Sequence, residues 1–136
     1  MECLFCGIAS GSVPAKLISE TPKSLAFLDI HPRALGHALV VPKGHYQNIL
    51  ELPTDLIGDF FRDVQLVTEL ISKTIQPDGF TIGINQNLVA GQEVDHLHVH
   101  IIPRFKGDNG GSVQGVVSNH PNDSLDEVMK KIKNLN

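Results

Sequence analysis

Histidine alternates strictly with an apolar residue in one segment of this chain, HLHVHI at residues 96–101. Successive side chains of a β-strand point to opposite faces, so one face would carry three imidazoles and the other three apolar groups. The first set is His96, His98 and His100; the second is Leu97, Val99 and Ile101. The pattern therefore predicts a strand with one face buried in the core and one face available for chemistry.

The remaining periodicity predicts an α+β fold. Short β patterns occupy residues 16–20, 24–30, 37–41, 80–85 and 94–103. Between the third and fourth, apolar residues recur every three or four positions from Leu56 to Ile71, which predicts one long amphipathic helix with Thr54 as N-cap. A short C-terminal helix follows Asp123 or Ser124 as N-cap, with Met129 expected in the core. Short connections favour an antiparallel sheet of about five strands, with the long helix on one face.

Length and composition indicate one domain, residues 1–136. The net charge of −4 argues against general nucleic-acid binding, which rests on neutralising phosphates. No apolar run approaches the ~20 residues of a membrane span, and no secretion signal precedes the first strand, so a cytoplasmic protein is expected. The glycine-rich residues 107–115 are expected to form a flexible loop, because they do not lead from a strand into a helix.

Three readings of the alternating histidines are open at this point. The strand could be half exposed and use histidine merely as its polar side. A metal site built from all three is difficult, because alternate residues place His96 and His100 about 13 Å apart. Neutral imidazole, with a pKa near 6.5, is also a competent nucleophile toward phosphorus.

The segment HLHVHII resembles the His-x-His-x-His signature of the histidine triad (HIT) family. The stretches AFLDIHPRALGHALVVPKGH, residues 26–45, and GINQNLVAGQEVDHLHVHIIPR, residues 83–104, resemble the two halves of the family's domain. The opening CLFC resembles the zinc-containing bacterial and archaeal members. The resemblance covers about residues 3–106; residues 107–136, a loop plus short helix, lie outside it. It implies a HIT-like fold, a homodimer and a nucleotide hydrolase.

The resemblance also implies residue roles. His98 would attack the α-phosphorus and form a nucleotidyl-histidine; His100 would donate to phosphate or the leaving group, assisted by His96 and His37. Expected binding residues for an adenine nucleotide are Asp29 at the ribose, Asn85 and Gln92 at phosphate, and Phe5, Ile8, Phe27 and Leu39 at the base. Glu93 stands where the family usually has Ser or Thr. A carboxylate that faced a phosphate would repel it, so Glu93 either points away, or is protonated, or accompanies a positively charged leaving group, such as the amine of a phosphoramidate.

The two cysteines, Cys3 and Cys6, are either buried thiols or metal ligands, since disulfides are rare in the cytoplasm. A closed tetrahedral zinc needs two further ligands. The resemblance supplies His45 and His96. The metal would then be structural, because four protein ligands leave no open position for water.

Three functions are compatible with the resemblance. The first is a hydrolase that releases a nucleoside monophosphate from phosphoramidates or dinucleoside polyphosphates. The second is a nucleotidyltransferase, although related sugar-phosphate transferases carry two copies of the domain. The third is a nucleotide-binding or regulatory module with little turnover, which the intact His98 disfavours.

Overall fold

The computed structural model describes residues 2–134 and has an α+β architecture. The helices are α1 (Leu4–Ser10), α2 (Thr54–Ile75) and α3 (Leu125–Lys133). The strands are β1 (Leu17–Glu20), β2 (Ser24–Leu28), β3 (Ala38–Pro42), β4 (Gly79–Gly83) and β5 (Val99–Arg104). Two 3₁₀ turns, Leu88–Ala90 and Val113–Gly115, lie in the connections. The predicted fold class is confirmed.

The five strands form one antiparallel sheet in the order β1-β2-β3-β5-β4. Strand β5, which contains His100 and directly follows the segment with His96 and His98, therefore lies between β3 and the edge strand β4. Helix α2 covers one face with side chains at helical spacing, Phe60, Val64, Val67 and Ile71. The apolar members of the alternation pack beneath it, as predicted: Leu97, Val99 and Ile101 are at most 1% exposed.

The opposite face of the sheet is covered by α1, a helix that the sequence did not reveal. Phe5 and Ile8 from α1 pack on β2 and β3. The Cys3 sulfur caps the helix by accepting the Cys6 N–H at 3.5 Å, and Gly11 ends it with φ 83°, a conformation that glycine adopts without strain. Helix α1 thereby carries the N-terminus onto the histidine-bearing side of the sheet.

Three local expectations were wrong. Regular strand pairing begins at Val99 and not at residue 94, because the Leu97 N–H bonds to the carbonyl of Tyr46 and the His96 N–H to that of Val94. Helix α2 has Pro53, without a side-chain cap, at the N-cap position expected for Thr54. Met129 does not enter the core: it is 44% exposed, and α3 buries no residue among those described.

The C-terminal helix begins as predicted at Ser124, whose hydroxyl accepts the Glu127 N–H at 3.2 Å. Among residues 2–134, no helix combines the length and the apolar character that crossing a bilayer requires.

Candidate active site and metal centre

The histidines of the site come from two neighbouring strands and the residues that directly precede them. His98 directly precedes β5 and His100 lies within it, while Asp29 and His37 face each other at the ends of β2 and β3. The Asp29 N–H donates to the His37 carbonyl at 3.0 Å and so closes the β2–β3 connection. Because Leu39 pairs with His100 in the sheet, these residues converge on one side of β3 and β5.

The ring of His98 has a defined tautomer. Its Nδ1 lies 2.7 Å from the backbone carbonyl oxygen of His96, and a carbonyl can only accept, so Nδ1 carries the proton. In the neutral ring, Nε2 then holds a free lone pair. Phe5 packs edge-on against the ring, with centroids 5.1 Å apart, and His98 is only 6% exposed. The geometry thus presents an oriented imidazole nitrogen in a shielded position.

A second set of hydrogen bonds, which runs through His37, fixes the tautomer of His100. The Arg33 backbone N–H donates to His37 Nδ1 at 3.1 Å, so the proton of the neutral His37 ring is on Nε2. That N–H faces His100 Nδ1 at 3.0 Å and donates to it. The proton of His100 is therefore on its own Nε2. Of two neighbouring imidazoles, His98 offers a lone pair and His100 offers an N–H.

Burial keeps His37 and His100 uncharged near neutral pH. Burial first, then the adjacent His98 and His37 rings, lowers the pKa of His100 to about 4 from its ordinary 6.5. Burial also lowers the pKa of His37, although Asp29, 3.5 Å from its Nε2, pulls the other way. His100 therefore acts near neutral pH as a neutral N–H donor. A bound phosphate would raise its pKa, because an adjacent anion favours the protonated ring.

This depressed pKa predicts how stability depends on pH. The unfolded chain binds a proton at His100 near pH 6.5 but the folded chain only near pH 4. The stabilisation is thus fully present above pH 6.5 and is lost as the pH falls toward 4. We expect the urea unfolding free energy of His100→Gln to fall by about 1 kcal/mol less than that of the parent protein between pH 7 and 4.5.

His120→Gln, at an exposed position, is the matched control and should follow the parent. Any acid-induced loss of a metal elsewhere is common to the three proteins and cancels in the comparison. Parallel pH profiles for His100→Gln and the parent would contradict the assigned pKa.

The residues expected at the base form an apolar cluster beneath α1. Phe5, Ile8, Phe27 and Leu39 are between 4% and 8% exposed and pack together with Leu25 and Val41. The Phe5 ring contacts both Phe27 and His98. The cluster therefore forms an apolar wall beside the His98 ring, and its members are also ordinary core residues.

The segment before β5 contains Asn85, Gln92 and Glu93, and their side chains differ in burial. Gln92 is buried, and its amide donates to the Gln47 and Val94 carbonyls and accepts the Asn87 N–H, so it holds the loop together. Asn85 and Glu93 are exposed. The arrangement gives Gln92 a supporting position, whereas the other two side chains face solvent.

Two basic residues, Lys43 and Arg104, are engaged in surface ion pairs. Lys43 pairs with Glu20 at 2.7 Å, and Arg104 binds Asp108 through two of its nitrogens. Their side chains thus stabilise surface structure.

Cys3, Cys6, His45 and His96 form a compact donor set, whose ligand atoms all lie within 4.8 Å of one another. The Sγ to Nδ1 distances are 3.4 Å for Cys3–His96 and 3.3 Å for Cys6–His45. Tetrahedral zinc, with Zn–S about 2.3 Å and Zn–N about 2.0 Å, spaces such ligands about 3.5 Å apart. His96 Nε2 donates to the Pro42 carbonyl at 2.8 Å, which leaves Nδ1 free for a metal. The geometry and the tautomer both fit zinc.

A second cluster of possible ligands, Asp29, His37 and His100, has the same compactness. Its hydrogen bonds oppose a metal. The Arg33 N–H donates to Nδ1 of His37, so the His37 Nε2 that would bind the ion carries a proton. We therefore interpret this cluster as a hydrogen-bond chain.

The sequence identified the side chains of the site, but of its backbone partners the resemblance implied only a nearby carbonyl, not identified by residue, at the second ring nitrogen of His98. The Arg33 N–H and the carbonyls of Pro42 and His96 fix the tautomers of His37, His96 and His98. Backbone groups are common to all residues, so the only available signal was the turn marked by Pro32 and Gly36, which holds Arg33 near His37.

The fold and the site together define an α+β protein with a cluster of three hydrogen-bonded or contacting histidines, His37, His98 and His100, beside a Cys₂His₂ cluster. The model of the HIT domain matches residues 10–107, and the chain belongs to the HIT family. It is 47% identical to an uncharacterized HIT-like protein of Methanocaldococcus jannaschii over 96% of this chain and 98% of that one. Identity to adenosine 5'-monophosphoramidase hnt1 of Schizosaccharomyces pombe is 43%, over 81% of this chain and 80% of that one.

A solved structure of similar form is the crystal structure of a HIT-family member from Bacillus subtilis. It is 36% identical, the alignment covers 99% of this chain and 94% of that chain, and the TM-score is 0.85. The predicted fold family is thereby confirmed from both sequence and structure.

Proposed function

We propose that the protein is a HIT-family nucleotide hydrolase that works through a covalent nucleotidyl-His98 intermediate. The observation that carries the proposal is the hydrogen bond from His98 Nδ1 to the His96 carbonyl, which leaves Nε2 as the nucleophilic atom. Hydrolysis is also the activity named for the S. pombe relative, a monophosphoramidase. We also propose that the whole chain is one HIT domain with a C-terminal extension, and that the domain is of the zinc-containing type.

In the first step, Nε2 of His98 forms a bond to the α-phosphorus while the bond from phosphorus to the leaving group breaks. The leaving group departs with its electron pair and takes a proton. The His98 ring becomes cationic, and the His96 carbonyl stabilises its Nδ1–H. In the second step, water bonds to phosphorus and gives a proton back to His100, the bond from phosphorus to His98 breaks, and the nucleoside monophosphate leaves with His98 neutral again.

His100 serves this reaction as a donor. Its Nε2–H points away from His37 and binds an oxygen of the phosphate, where negative charge accumulates. The phosphate raises the pKa of His100, and the ring then also supplies the proton for the leaving group. His37 is a positioning residue, because it reaches phosphate only through His100.

The proposed binding residues lie around the histidine cluster. Asp29 is half-buried beside His37 and accepts the ribose hydroxyls, and the wall formed by Phe5, Ile8, Phe27 and Leu39 lies beside the base of an adenine nucleotide. Asn85 contacts the phosphate from the exposed loop. For Gln92 we propose support of that loop in place of direct phosphate binding, because its amide is already fully engaged.

Zinc at Cys3, Cys6, His45 and His96 is proposed as a structural metal. It would tie α1 to the segment that carries the catalytic histidines. Burial and the neighbouring Cys3 raise the pKa of the Cys6 thiol, so a cation is needed to hold the Cys6 sulfur as a thiolate near neutral pH. Such a cluster requires reduced cysteines, which is why we place the protein in the cytoplasm.

The chain is further proposed to form a homodimer along β4. This strand lies at an edge of the sheet, and its unpaired backbone groups are a template for another strand. Ile82 is 43% exposed, and with Phe80 it borders a cavity of about 710 Å³ against α2 that includes Phe61. A second copy related by a two-fold axis would cover both features.

Glu93 predicts the choice of leaving group. Its exposed carboxylate repels the additional phosphates of a dinucleoside polyphosphate but not a neutral or cationic amine. We expect kcat/KM for the release of AMP to be higher for an adenosine phosphoramidate whose amine leaving group is cationic than for diadenosine polyphosphates. Glu93→Gln should shift the ratio of the two kcat/KM values by about 3- to 10-fold toward the polyphosphate at low salt.

The matched control is Asp59→Asn, an equal charge change at an exposed position of α2, which covers the other face of the sheet. Release of AMP from neither substrate would contradict the proposed hydrolase. An unchanged ratio in Glu93→Gln would remove only the role of Glu93.

A further inference from the structure

The Asp29 carboxylate has contacts on two sides. Its Oδ1 accepts the His31 backbone N–H at 2.9 Å, which holds the side chain in place just after β2. Its Oδ2 lies 3.5 Å from Nε2 of His37. One ligand atom from each of Asp29, His37 and His100 lies within 4.8 Å of the other two. The residue proposed above as the ribose ligand is thus also a close anionic neighbour of the His37–His100 pair.

The hydrogen bonds of the neutral pair leave no place for a further proton between the two rings. The Arg33 N–H donates to Nδ1 of His37, and the His37 Nε2–H donates to Nδ1 of His100. A proton added to His100 must enter at Nδ1, because its Nε2 already carries one. Two N–H groups would then face each other across 3.0 Å. The charged form of His100 therefore requires another acceptor for the His37 N–H.

Asp29 can be that acceptor. Since its Oδ2 is 3.5 Å from the His37 Nε2, a small rotation of the ring brings the two atoms to hydrogen-bonding distance. An adjacent carboxylate also favours the protonated form of an imidazole. Burial lowers the pKa of both rings, whereas the negative charge of Asp29 raises it. The carboxylate is thus positioned to stabilise an extra proton on the pair.

The other groups that face the pair cannot take this role. The His98 ring, whose centroid is 5.1 Å from that of His100, becomes cationic in the proposed reaction. The positively charged Arg33 side chain acts against protonation of the pair. The residues that pair with His100 on β3 and β4 are Leu39 and Gly83, which carry no charge. Among the described residues, these contacts leave the carboxylate as the counter-ion of the pair.

We propose that Asp29 is a positioning residue for the proton donor His100 as well as a ligand of the ribose. The inference rests on the hydrolase proposed above and links recognition of the sugar to proton transfer. With the His37 N–H turned to Asp29, His100 keeps a proton on Nδ1 throughout. The bond between Nε2 and its proton breaks as the leaving group takes that proton, and water later returns a proton to Nε2. Ribose hydroxyls that donate to Asp29 offset part of its negative charge and so make His100 a stronger acid.

The test compares two ligands on the same protein. AMP and 2′,3′-dideoxy-AMP share base and phosphate, but only AMP has ribose hydroxyls that can donate to Asp29. In NMR titrations of the saturated complexes, the pKa of the His100 ring should be lower with AMP by about 0.5 or more. In Asp29→Asn, which keeps an oxygen for the His31 N–H, both values should fall below those of the parent and agree within about 0.2. Asp59→Asn, at an exposed position of α2, is the matched control and should behave as the parent.

The pH profile of kcat for an adenosine phosphoramidate is the second readout. Because His100 donates from its protonated form, the alkaline limb should move to lower pH by about 0.5 to 1 in Asp29→Asn, which a merely structural role would not produce. Equal His100 pKa values with the two ligands in the parent, or an unmoved alkaline limb in the variant, overturn the role of Asp29. A difference between the ligands in a protein that releases no AMP overturns the hydrolase and leaves the coupling in place. His100 signals unchanged by AMP overturn both.

Discussion

Replacing His98 by Asn is expected to reduce kcat for adenosine phosphoramidate by about ten-thousandfold or more, while the Kd for AMP changes only a few-fold. Asn retains a polar group near the His96 carbonyl but has no nitrogen lone pair that can attack phosphorus. Removal of a covalent nucleophile commonly has effects of this size. Rapid quench with a radiolabelled substrate, followed by mass spectrometry, should detect AMP on the parent protein and none on the variant.

The control for this experiment is His120→Asn, the same change at an exposed position between β5 and α3. It should retain parental kcat. Turnover by His98→Asn within tenfold of the parent, or an adduct mapped to another residue, would show that the displacement does not pass through this ring. AMP binding retained without turnover would separate catalysis from binding.

Replacing His45 by Asn is expected to have the largest effect on stability. His45 is exposed, so the change removes little packing, and any loss must come from the ligand. We expect zinc content to fall from about one per chain to a small fraction, at a cost of about 3 kcal/mol or more in folding free energy. For a domain of this length the melting temperature should fall by about 10 °C.

His31→Asn, at another exposed histidine, should keep both zinc and melting temperature. Elemental analysis of protein purified without chelator measures the first, and calorimetry the second. If the parent contains no stoichiometric metal, or if His45→Asn melts with the parent, the cluster is not a structural zinc site. A fall in activity together with stability would agree with the shared position of His96, which contributes to both the cluster and the His98 hydrogen bond.

Side-chain periodicity was sufficient to predict the main elements of the fold. The spacing from Leu56 to Ile71 identified α2, and the alternation at residues 96–101 assigned each side chain to its correct face. Helix α1 was missed because its seven residues span only two turns, and its cap is a cysteine sulfur and not a common hydroxyl or carboxylate. The start of β5 was placed too early because Tyr46, distant in sequence, binds the Leu97 N–H.

The side chains of the site were accessible from sequence in a similar, partial way. The resemblance brought together Cys3, Cys6, His45 and His96, and the structure places their ligand atoms at zinc-compatible spacing. The position of Gln92 was not accessible, because the carbonyl that its amide binds most closely belongs to Gln47, 45 residues away. Sequence reasoning identifies which groups are available, but long-range hydrogen bonds decide which of them are already occupied.

The pairing of β3 with β5 has a consequence for the kinetics of folding. His37 and His100 are 63 residues apart, and their hydrogen bond forms only after the chain between them, including α2 and β4, has closed into a loop. Closing such a loop costs entropy before its contacts can repay it, so this pairing should form late. During refolding, the NMR signal of the His100 ring should therefore reach its native value later than the circular dichroism signal of the helices.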